Sequence, residues 1–506
     1  MSGAWLLEID TGRIWRASTR HVTYDGNAYL PALAEVSGPV DGLSLSEPQD
    51  RSAQVVVHPA QLGLDTDDIS LGAVGRLYWW EDPDGLDPPE LLLSGRLEAP
   101  EYGAHDEPLT TTIREVPWED RARIPDVSTA RIDSTSWPNA VDGLDGEWYP
   151  EVIGLPGIDA EDVMGSPAYY VQQGGTKYVL LSRSPVVASS VELRDQTGPS
   201  TFTGSPIRVA DGYGQIVTVV NVGAWAALAV DDQVWATWDG STGGIPAKDD
   251  PSRAMRGAGE VIAWALGKSS LRVDWGRQRA AEVALNAYQV DGYIAGTPGA
   301  RPTPWEWLAR DVLPILPVVV RQSSRGVYVV VLRPDAPEAA ATVTLEEGRN
   351  CWRVSPVGTV GEHASEVSMM YAPRADGDGW ARRVVVSGQQ DTLRMDPSAL
   401  RHAAMEESYR RFGPRAVQLT SPTTYDDSTA VRAARAMASL VALPAREVSY
   451  EIEEGLRVEP GDVVRLTDAG LGWTRRVVLG WSVLPGPRPE LTVRHYYSSA
   501  RDKGGR

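Results

Sequence analysis

Six histidines, one cysteine and 68 acidic residues are the side chains of this 506-residue sequence with the most chemistry to offer. His21, His58, His105, His363, His402 and His495 stand far apart, and no two have the spacing with which one helix or strand presents paired metal ligands. His-Glu-x-x-His, Gly-x-Ser-x-Gly, the phosphate-cradling P-loop and the dinucleotide Gly-x-Gly-x-x-Gly are all absent. Cys351 has no second cysteine to pair with, and beside Trp352 it reads as a small core residue rather than a nucleophile. Asp65-Thr66-Asp67-Asp68 lacks the full spacing and terminal Glu of a calcium loop, and Asp142-Gly143-Leu144-Asp145-Gly146-Glu147 reads as an acidic turn. Glycoside hydrolysis needs two carboxyls roughly 5 to 10 Å apart in a cleft, and nothing in the sequence selects such a pair. Trp137, Trp148, Trp225, Trp235 and Trp238 offer faces for sugar rings, but packing inside a β unit is the better reading. We therefore assign no catalytic, cofactor-binding or metal-binding residue.

The elements that carry these residues are mostly strands. The chain has 18 Trp and 18 Tyr but only 2 Phe, with 49 Gly and 37 Pro. Trp and Tyr suit half-buried sheet faces and interfaces, and frequent Gly and Pro imply short strands between many turns. Lys and Arg total 48 against 68 acidic residues, a formal net charge of −20, which lacks the basic footprint of a nucleic-acid reader. The N-terminal Met1–Asp10 has neither a basic head nor a long apolar run, and no stretch approaches the ~20 apolar residues of a membrane span. A cytoplasmic origin without an export signal is expected.

The fold class expected is mainly β with minor α, in several domains. Residues 1–120 alternate as strands, with an Asp25-Gly26 hairpin turn and further strands at Ser52–Val57, Gly75–Trp80, Leu91–Leu97 and Thr110–Ile113. Residues 121–250 read as a β-rich insertion, peripheral enough that excising Ser134 to Gly243 should leave a folded remainder. Residues 251–340 form a helical and hairpin module. There Thr303-Pro304-Trp305-Glu306 makes a capping box, its helix ends at or before Pro314, and two strands flank Ser323–Gly326. Residues 388–441 are a helical connector, with Tyr409 and Phe412 on the apolar side of its first helix. Residues 341–387 and 442–506 supply a second barrel, turned at Glu459-Pro460-Gly461-Asp462.

Several segments together resemble the tail-tip hub family of long-tailed phages and gene transfer agents, related in fold to the contractile-tail hub. Tyr24–Pro31, Leu43-Ser44-Leu45 and Val55-Val56-Val57 resemble its opening barrel. Trp305–Leu308 leading to Pro317-Val318 and Gly326–Tyr328 resembles its small module. Ser408–Gly413, Asp427–Ala430 and Leu456–Leu466 follow in the family's order. The resemblance covers most of 1–120 and 300–500 and least of 130–250. It implies a homotrimeric ring in which two tube-like barrels per chain match a hexameric tail tube. It also implies a virion tail-tip location and passage of DNA without adhesion. The partners implied are the distal tail protein or tail tube, the tape-measure protein, and tail fibre or tip proteins. The alternative is a carbohydrate-binding or carbohydrate-degrading tail protein.

Overall fold

A computed structural model describes residues 3–39, 41–42, 51–63, 73–84, 87–101, 107–115, 120–140, 143–157, 162–195, 200–225, 234–238, 243–296, 300–323, 325–334, 336–361, 363–375, 377–486 and 488–496. The chain is mainly β, as its composition implies. The first strands are β1 (Ala4–Asp10), β2 (Ile14–Ser18), β3 (Val22–Tyr24), β4 (Asn27–Tyr29), β5 (Leu33–Ser37), β6 (Asp41–Gly42) and β7 (Ser52–Val57). The short helix α1 (Pro59–Leu62) follows, then β8 (Val74–Trp80), β9 (Glu90–Leu97) and β10 (Leu109–Glu115). Seven of them form one antiparallel sheet in the order β2-β1-β8-β9-β10-β7-β5. The sheet curls until its two ends approach, where Leu30, just before β5, bridges Ala17 on β2. Alternation places Leu7, Ile9, Val55, Val57, Leu77, Leu93 and Ile113 inside. The hairpin β3–β4 turns at Asp25 and Gly26, both at positive φ, and covers the outer face with Val22 and Tyr29. On that face Glu8 accepts hydrogen bonds from Tyr29 (2.9 Å), Tyr78 (3.3 Å) and Arg16 (3.1 Å), and burial with this carboxylate pushes the Tyr78 phenol up to about 12.

The next unit contains β11 (Glu151–Ile153), β12 (Ser166–Gln173), β13 (Thr176–Ser182), β14 (Val191–Asp195), β15 (Thr201–Gly204), β16 (Pro206–Ala210), β17 (Ile216–Asn221) and β18 (Val234–Trp238). Its seven-stranded sheet runs β15-β14-β18-β12-β13-β17-β16. The sheet buries two faces. One packs Val179, Leu181, Val191 and Leu193 with Trp225 and Trp238, and the other packs Val171, Leu180 and Val219 under Trp137 and Tyr149. The flanks of this unit reach elsewhere. Ile153, Val163 and Ile245 lie in the central core of the following helical module.

That module begins with α2 (Ala258–Lys268) and α3 (Trp275–Leu285), followed by β19 (Gly292–Ile294) and α4 (Pro304–Trp307). Strand β11 pairs with β19, and Asp291 beside it is fully buried, held by Arg256 at 2.7 Å and by the Leu155 amide at 2.8 Å. The capping box forms as expected: Thr303 accepts from the Glu306 amide at 2.9 Å, and Glu306 accepts from the Thr303 amide at 2.8 Å. The helix then widens to a π-turn over Leu308–Val312 and tightens to a 3-10 turn over Leu313–Ile315. Pro314 thus sits inside a tight turn rather than beyond the helical run, because a 3-10 turn tolerates its missing N–H near the start. The hairpin β20 (Val318–Ser323) and β21 (Gly326–Val331) packs on α3.

The remaining elements are β22 (Val343–Glu346), β23 (Cys351–Arg353), β24 (Gly358–Val360), β25 (Glu366–Pro373), β26 (Trp380–Ser387), α5 (Gln390–Met395), β27 (Leu400–Arg401), α6 (Ala403–Phe412), β28 (Ala416–Ser421) and α7 (Asp427–Val441). Strands β29 (Ala445–Ile452), β30 (Val463–Asp468), β31 (Trp473–Leu484) and β32 (Glu490–His495) close the order. The C-terminal sheet runs β22-β30-β31-β32-β29-β23, with β24 also on β29. Its two ends are joined by the 347–350 turn, and Leu345, Tyr450, Leu466, Trp473 and Leu491 fill its inside.

Two expectations are corrected here. Residues 366–387 do not belong to the second β unit. Strands β25 and β26 join β27 and β28 in a separate four-stranded sheet covered by α7, and Val367, Met369, Tyr371 and Val386 share one core with α2, α3 and α7. Alternation shows that a strand exists but not which sheet it joins. On α6 the buried residues are Ala404, Met405 and Ser408, whereas Tyr409 and Phe412 are exposed. Phe412 lies against His363, with ring centroids 4.4 Å apart.

Candidate assembly surfaces

Two contacts tie distant parts of the chain together. The first is the Pro-Gly-Asp turn. Gly461 adopts φ +96°, a conformation that favours glycine, and its amide donates to the Gly480 carbonyl at 2.8 Å. Gly480 donates back to the Asp462 carbonyl at 2.9 Å, and the Asp462 side chain accepts from the Glu459 amide at 2.9 Å. The turn also presses on the hairpin module, since a Cβ on Gly461 would sit 2.2 Å from Val330 Cγ1. Glu459 pairs with Arg277 of α3, whose guanidinium lies 5.2 Å from the Tyr328 ring centroid. The turn motif was readable from sequence. Its packing partner was not, because Val330 lies over a hundred residues earlier and carries no local signal.

The second contact joins the two curled sheets. After β5 the chain leaves the N-terminal sheet, and β6 adds to the C-terminal one, pairing Asp41 with Val483 and Gly42 with Ser482. A Cβ on Gly486 would meet Trp5 at 3.3 Å, and Arg457 faces Glu81 at 3.6 Å. Backbone hydrogen bonds therefore cross between the units, which a side-chain contact alone would not provide. Away from this junction, the C-terminal sheet carries an apolar strip: Trp352 is 46% exposed, Val354 50% and Val357 41%. On the N-terminal sheet Ile14 and Val74 stand on either side of Asp10, both exposed.

The residues considered for chemistry do not converge. Among the described residues no group of three or more His, Cys, Asp or Glu is placed to hold a metal ion. His105, Asp142, the acidic run 65–68 and Leu43-Ser44-Leu45 lie outside the described residues. Cys351 is buried, and burial together with Glu347, Asp468 and Glu346 pushes its thiol up to about 12. A thiol so shifted is protonated at neutral pH and a poor nucleophile. Glu147 accepts from Tyr169 at 3.5 Å, and burial raises its carboxyl above the ordinary range.

One pair of carboxyl groups does meet. Glu347 and Asp468 share a hydrogen bond, which raises the Glu347 carboxyl; burial works against Asp468, but bonds from Tyr450 and others hold it low. Asp468 accepts from Tyr450 at 2.6 Å and from the Leu471 amide at 2.9 Å, with Arg353 3.9 Å away. These carboxyls touch each other, leaving no room for a glycosidic bond between them. The arrangement ties two turns of the sheet together.

The five tryptophans also pack inward. Trp137, Trp148, Trp225 and Trp238 are buried, and Trp235 is half-buried. Trp137 donates to Tyr149 at 3.0 Å, Tyr149 to Asp211 at 2.8 Å, and Trp225 stacks on Phe202 with centroids 5.6 Å apart. Among the described residues no helix is long and apolar enough to cross a membrane.

No protein-family model and no curated protein matches the chain. Solved structures do. A tail protein from Neisseria meningitidis MC58 is 11% identical, over 98% of this chain and 97% of that one, with a TM-score of 0.39. The 43 kDa tail protein of prophage MuSo2 from Shewanella oneidensis is 10% identical over 98% of each chain, with a TM-score of 0.36. A chain from the virion of a native gene transfer agent is 16% identical, over 47% of this chain and 79% of that one, with a TM-score of 0.19. The chain is thus similar to solved tail proteins, one of them from a prophage.

Proposed function

We propose that the chain is a structural hub of a phage tail tip, assembling as a trimeric ring that joins the tail tube to the tip and receptor-binding parts and lets DNA pass. The observation that carries this reading is the strand β6, which leaves the N-terminal sheet and adds to the C-terminal one. It couples two curled sheets into one piece, so three copies present six such units in fixed pairs, as the resemblance to the hub family implies. The domain division we propose keeps 1–120 as read from sequence, takes 121–250 as a β-rich unit whose flanks are built into the central core rather than as a peripheral insertion, and takes the second barrel from 343–360 and 445–495. The helical module and the 361–441 segment share the core between them.

The charge agrees with this role. A basic channel would hold passing DNA by releasing its condensed counterions, whereas a chain of net charge −20 has the carboxylates for a non-adhesive wall. Its partners are the distal tail protein or tail tube, the tape-measure protein, and fibre or tip proteins, with the virion tail tip as its location. We assign it no enzymatic activity. The carbohydrate reading is disfavoured, because Trp137, Trp225 and Trp238 are packed inside the β-rich unit.

The mass of the purified chain in solution, followed by an image of the assembled tail with the chain located, tests the proposal. Three copies of the 54.8 kDa chain around the tail axis, with more Asp and Glu than Lys and Arg on the channel, is the expected result. A single copy away from the axis, or a strongly basic channel, overturns it.

A further inference from the structure

Beside α4 the structure holds an open cleft of about 820 Å³, lined by Arg123, Arg301 and Arg310 with Trp305, Glu306 and Gly296 among its walls. Three arginines line one cleft in a chain with 68 acidic and 48 basic residues, where an arginine meets a carboxylate easily. Arg310 has done so, gripping Asp311 through two bonds of 2.8 and 2.7 Å. Arg123 and Arg301 have not. Arg301 lies 4.7 Å from the Trp148 ring centroid and donates to the Pro125 carbonyl at 2.9 Å. Arg123 reaches only the carbonyl of its neighbour Ala122, at 3.4 Å. Glu306 is engaged with the Thr303 amide in the capping box. Two cations without an acidic partner among the described residues thus line the cleft, one of them held by a ring and a carbonyl.

We propose that this cleft binds the carboxylates of an acidic peptide segment supplied by a partner protein. A guanidinium presents parallel N–H donors that match the two oxygens of a carboxylate, and its charge never titrates at working pH. The stacking of Arg301 on Trp148 fixes one fork before anything binds, which reduces the ordering cost of association. An extended polyphosphate fits less well. Nucleic acid needs a basic stripe that neutralises successive phosphates, and beyond this cleft it meets a surface of net negative charge. A short segment with two or three carboxylates places its charge only where the arginines are. This proposal stands apart from the hub reading and survives or fails without it.

The test uses the full chain and a fluorescein-labelled peptide of twelve residues rich in Asp and Glu, read by anisotropy at low ionic strength. Arg123 is exposed and, among the described residues, its side chain bonds only the adjacent Ala122 carbonyl at 3.4 Å, so Arg123→Glu tests the site with little cost to the fold. Arg349→Glu is the control, an exposed arginine in the 347–350 turn, far from the cleft in sequence and paired with Glu346. The expected result is saturable binding that Arg123→Glu weakens at least tenfold and Arg349→Glu leaves within twofold. Absence of binding, or equal weakening by both variants, overturns the proposal. So does a DNA duplex of equal charge that binds more tightly and displaces the peptide, which would make the cleft a nucleic-acid contact.

Discussion

Replacing Gly461 with alanine probes the joint between the C-terminal sheet and the hairpin module, and two separate costs arise. The first is conformational: at φ +96° an L-residue is strained by roughly 1–2 kcal/mol. The second is steric. The new methyl would sit 2.2 Å from Val330 Cγ1, so the β21 hairpin must shift, and overpacking of this kind costs about 1–3 kcal/mol. Together they predict a loss of about 2–5 kcal/mol, confined to the joint. Hydrogen exchange is the appropriate assay because it reports local opening. The amides of Val463–Leu466 and Val327–Val331 should lose protection in Gly461→Ala, while those of Ala4–Asp10 keep theirs. Val330→Ala removes the clashing methyl and so separates the two costs. In the double variant the steric part should vanish and the conformational part remain, giving a coupling of about 1–3 kcal/mol in a double-mutant cycle. If Gly461→Ala exchanges like the parent, or if the two substitutions add without coupling, the turn does not pack on the hairpin and the argument is wrong.

Excising Ser134 to Gly243 should give aggregated protein rather than a folded remainder. The cut removes β11, the partner of Gly292–Ile294, and takes Ile153 and Val163 out of the central core. A soluble, monodisperse deletion product would refute this. Glu151→Gln should raise stability at neutral pH. Burial raises the Glu151 carboxyl, so the folded chain keeps a proton that the unfolded chain releases, and stability falls as pH climbs from the ordinary carboxylate range through the folded value. Glutamine does not titrate and removes that slope, and denaturation curves from pH 4 to 7.5 that stay parallel for the two proteins would defeat the idea.

What the sequence disclosed follows from the range of each signal. The Asp25-Gly26 hairpin, the Thr303–Glu306 capping box and the Pro460-Gly461-Asp462 turn each require only residues a few positions apart, and all three form. Strands at Ser52–Val57 and Gly326–Val331 announced themselves by composition, since β-branched runs suit a pleated surface. Pairing between distant strands has no such local mark. Nothing in Asp41-Gly42 points to Ser482 and Val483, and nothing in Glu366–Pro373 indicates that α7 rather than the C-terminal sheet will cover it. The error on α6 has a different origin. Size points to Tyr409 and Phe412 as the buried residues, whereas the helix backbone runs so close to Gly388 that small or flexible residues face inward: Ala404, Met405 and Ser408 are buried and Tyr409 and Phe412 exposed. The same holds for the cleft: Arg123 and Arg301 are nearly two hundred residues apart, and only the fold puts them on one surface.

The proposed ring must also reconcile its charge with its contacts. Three copies triple a formal −20, and that repulsion opposes assembly. At physiological salt charges more than about 8 Å apart are largely screened, so the cost depends on what faces the contact itself rather than on the total. Between Cys351 and Val360 the chain carries a single charged residue, Arg353, and it already lies 3.9 Å from the buried Asp468. Trp352, Val354 and Val357 are exposed along the same run. Joining copies along this strip removes the apolar surface of Trp352, Val354 and Val357 from water, with Glu451 opposite Trp352 on the neighbouring strand as the nearest carboxylate in register. In the proposed ring the acidic residues elsewhere would stay in solvent or on the channel, where salt screens their mutual repulsion. A ring closed instead across Glu98, Arg114 and their exposed neighbours on the N-terminal sheet would bury ion pairs that water already satisfies, for little gain. For the proposed ring, the exposed apolar run Trp352–Val357 is therefore a better contact than the charged face of the N-terminal sheet.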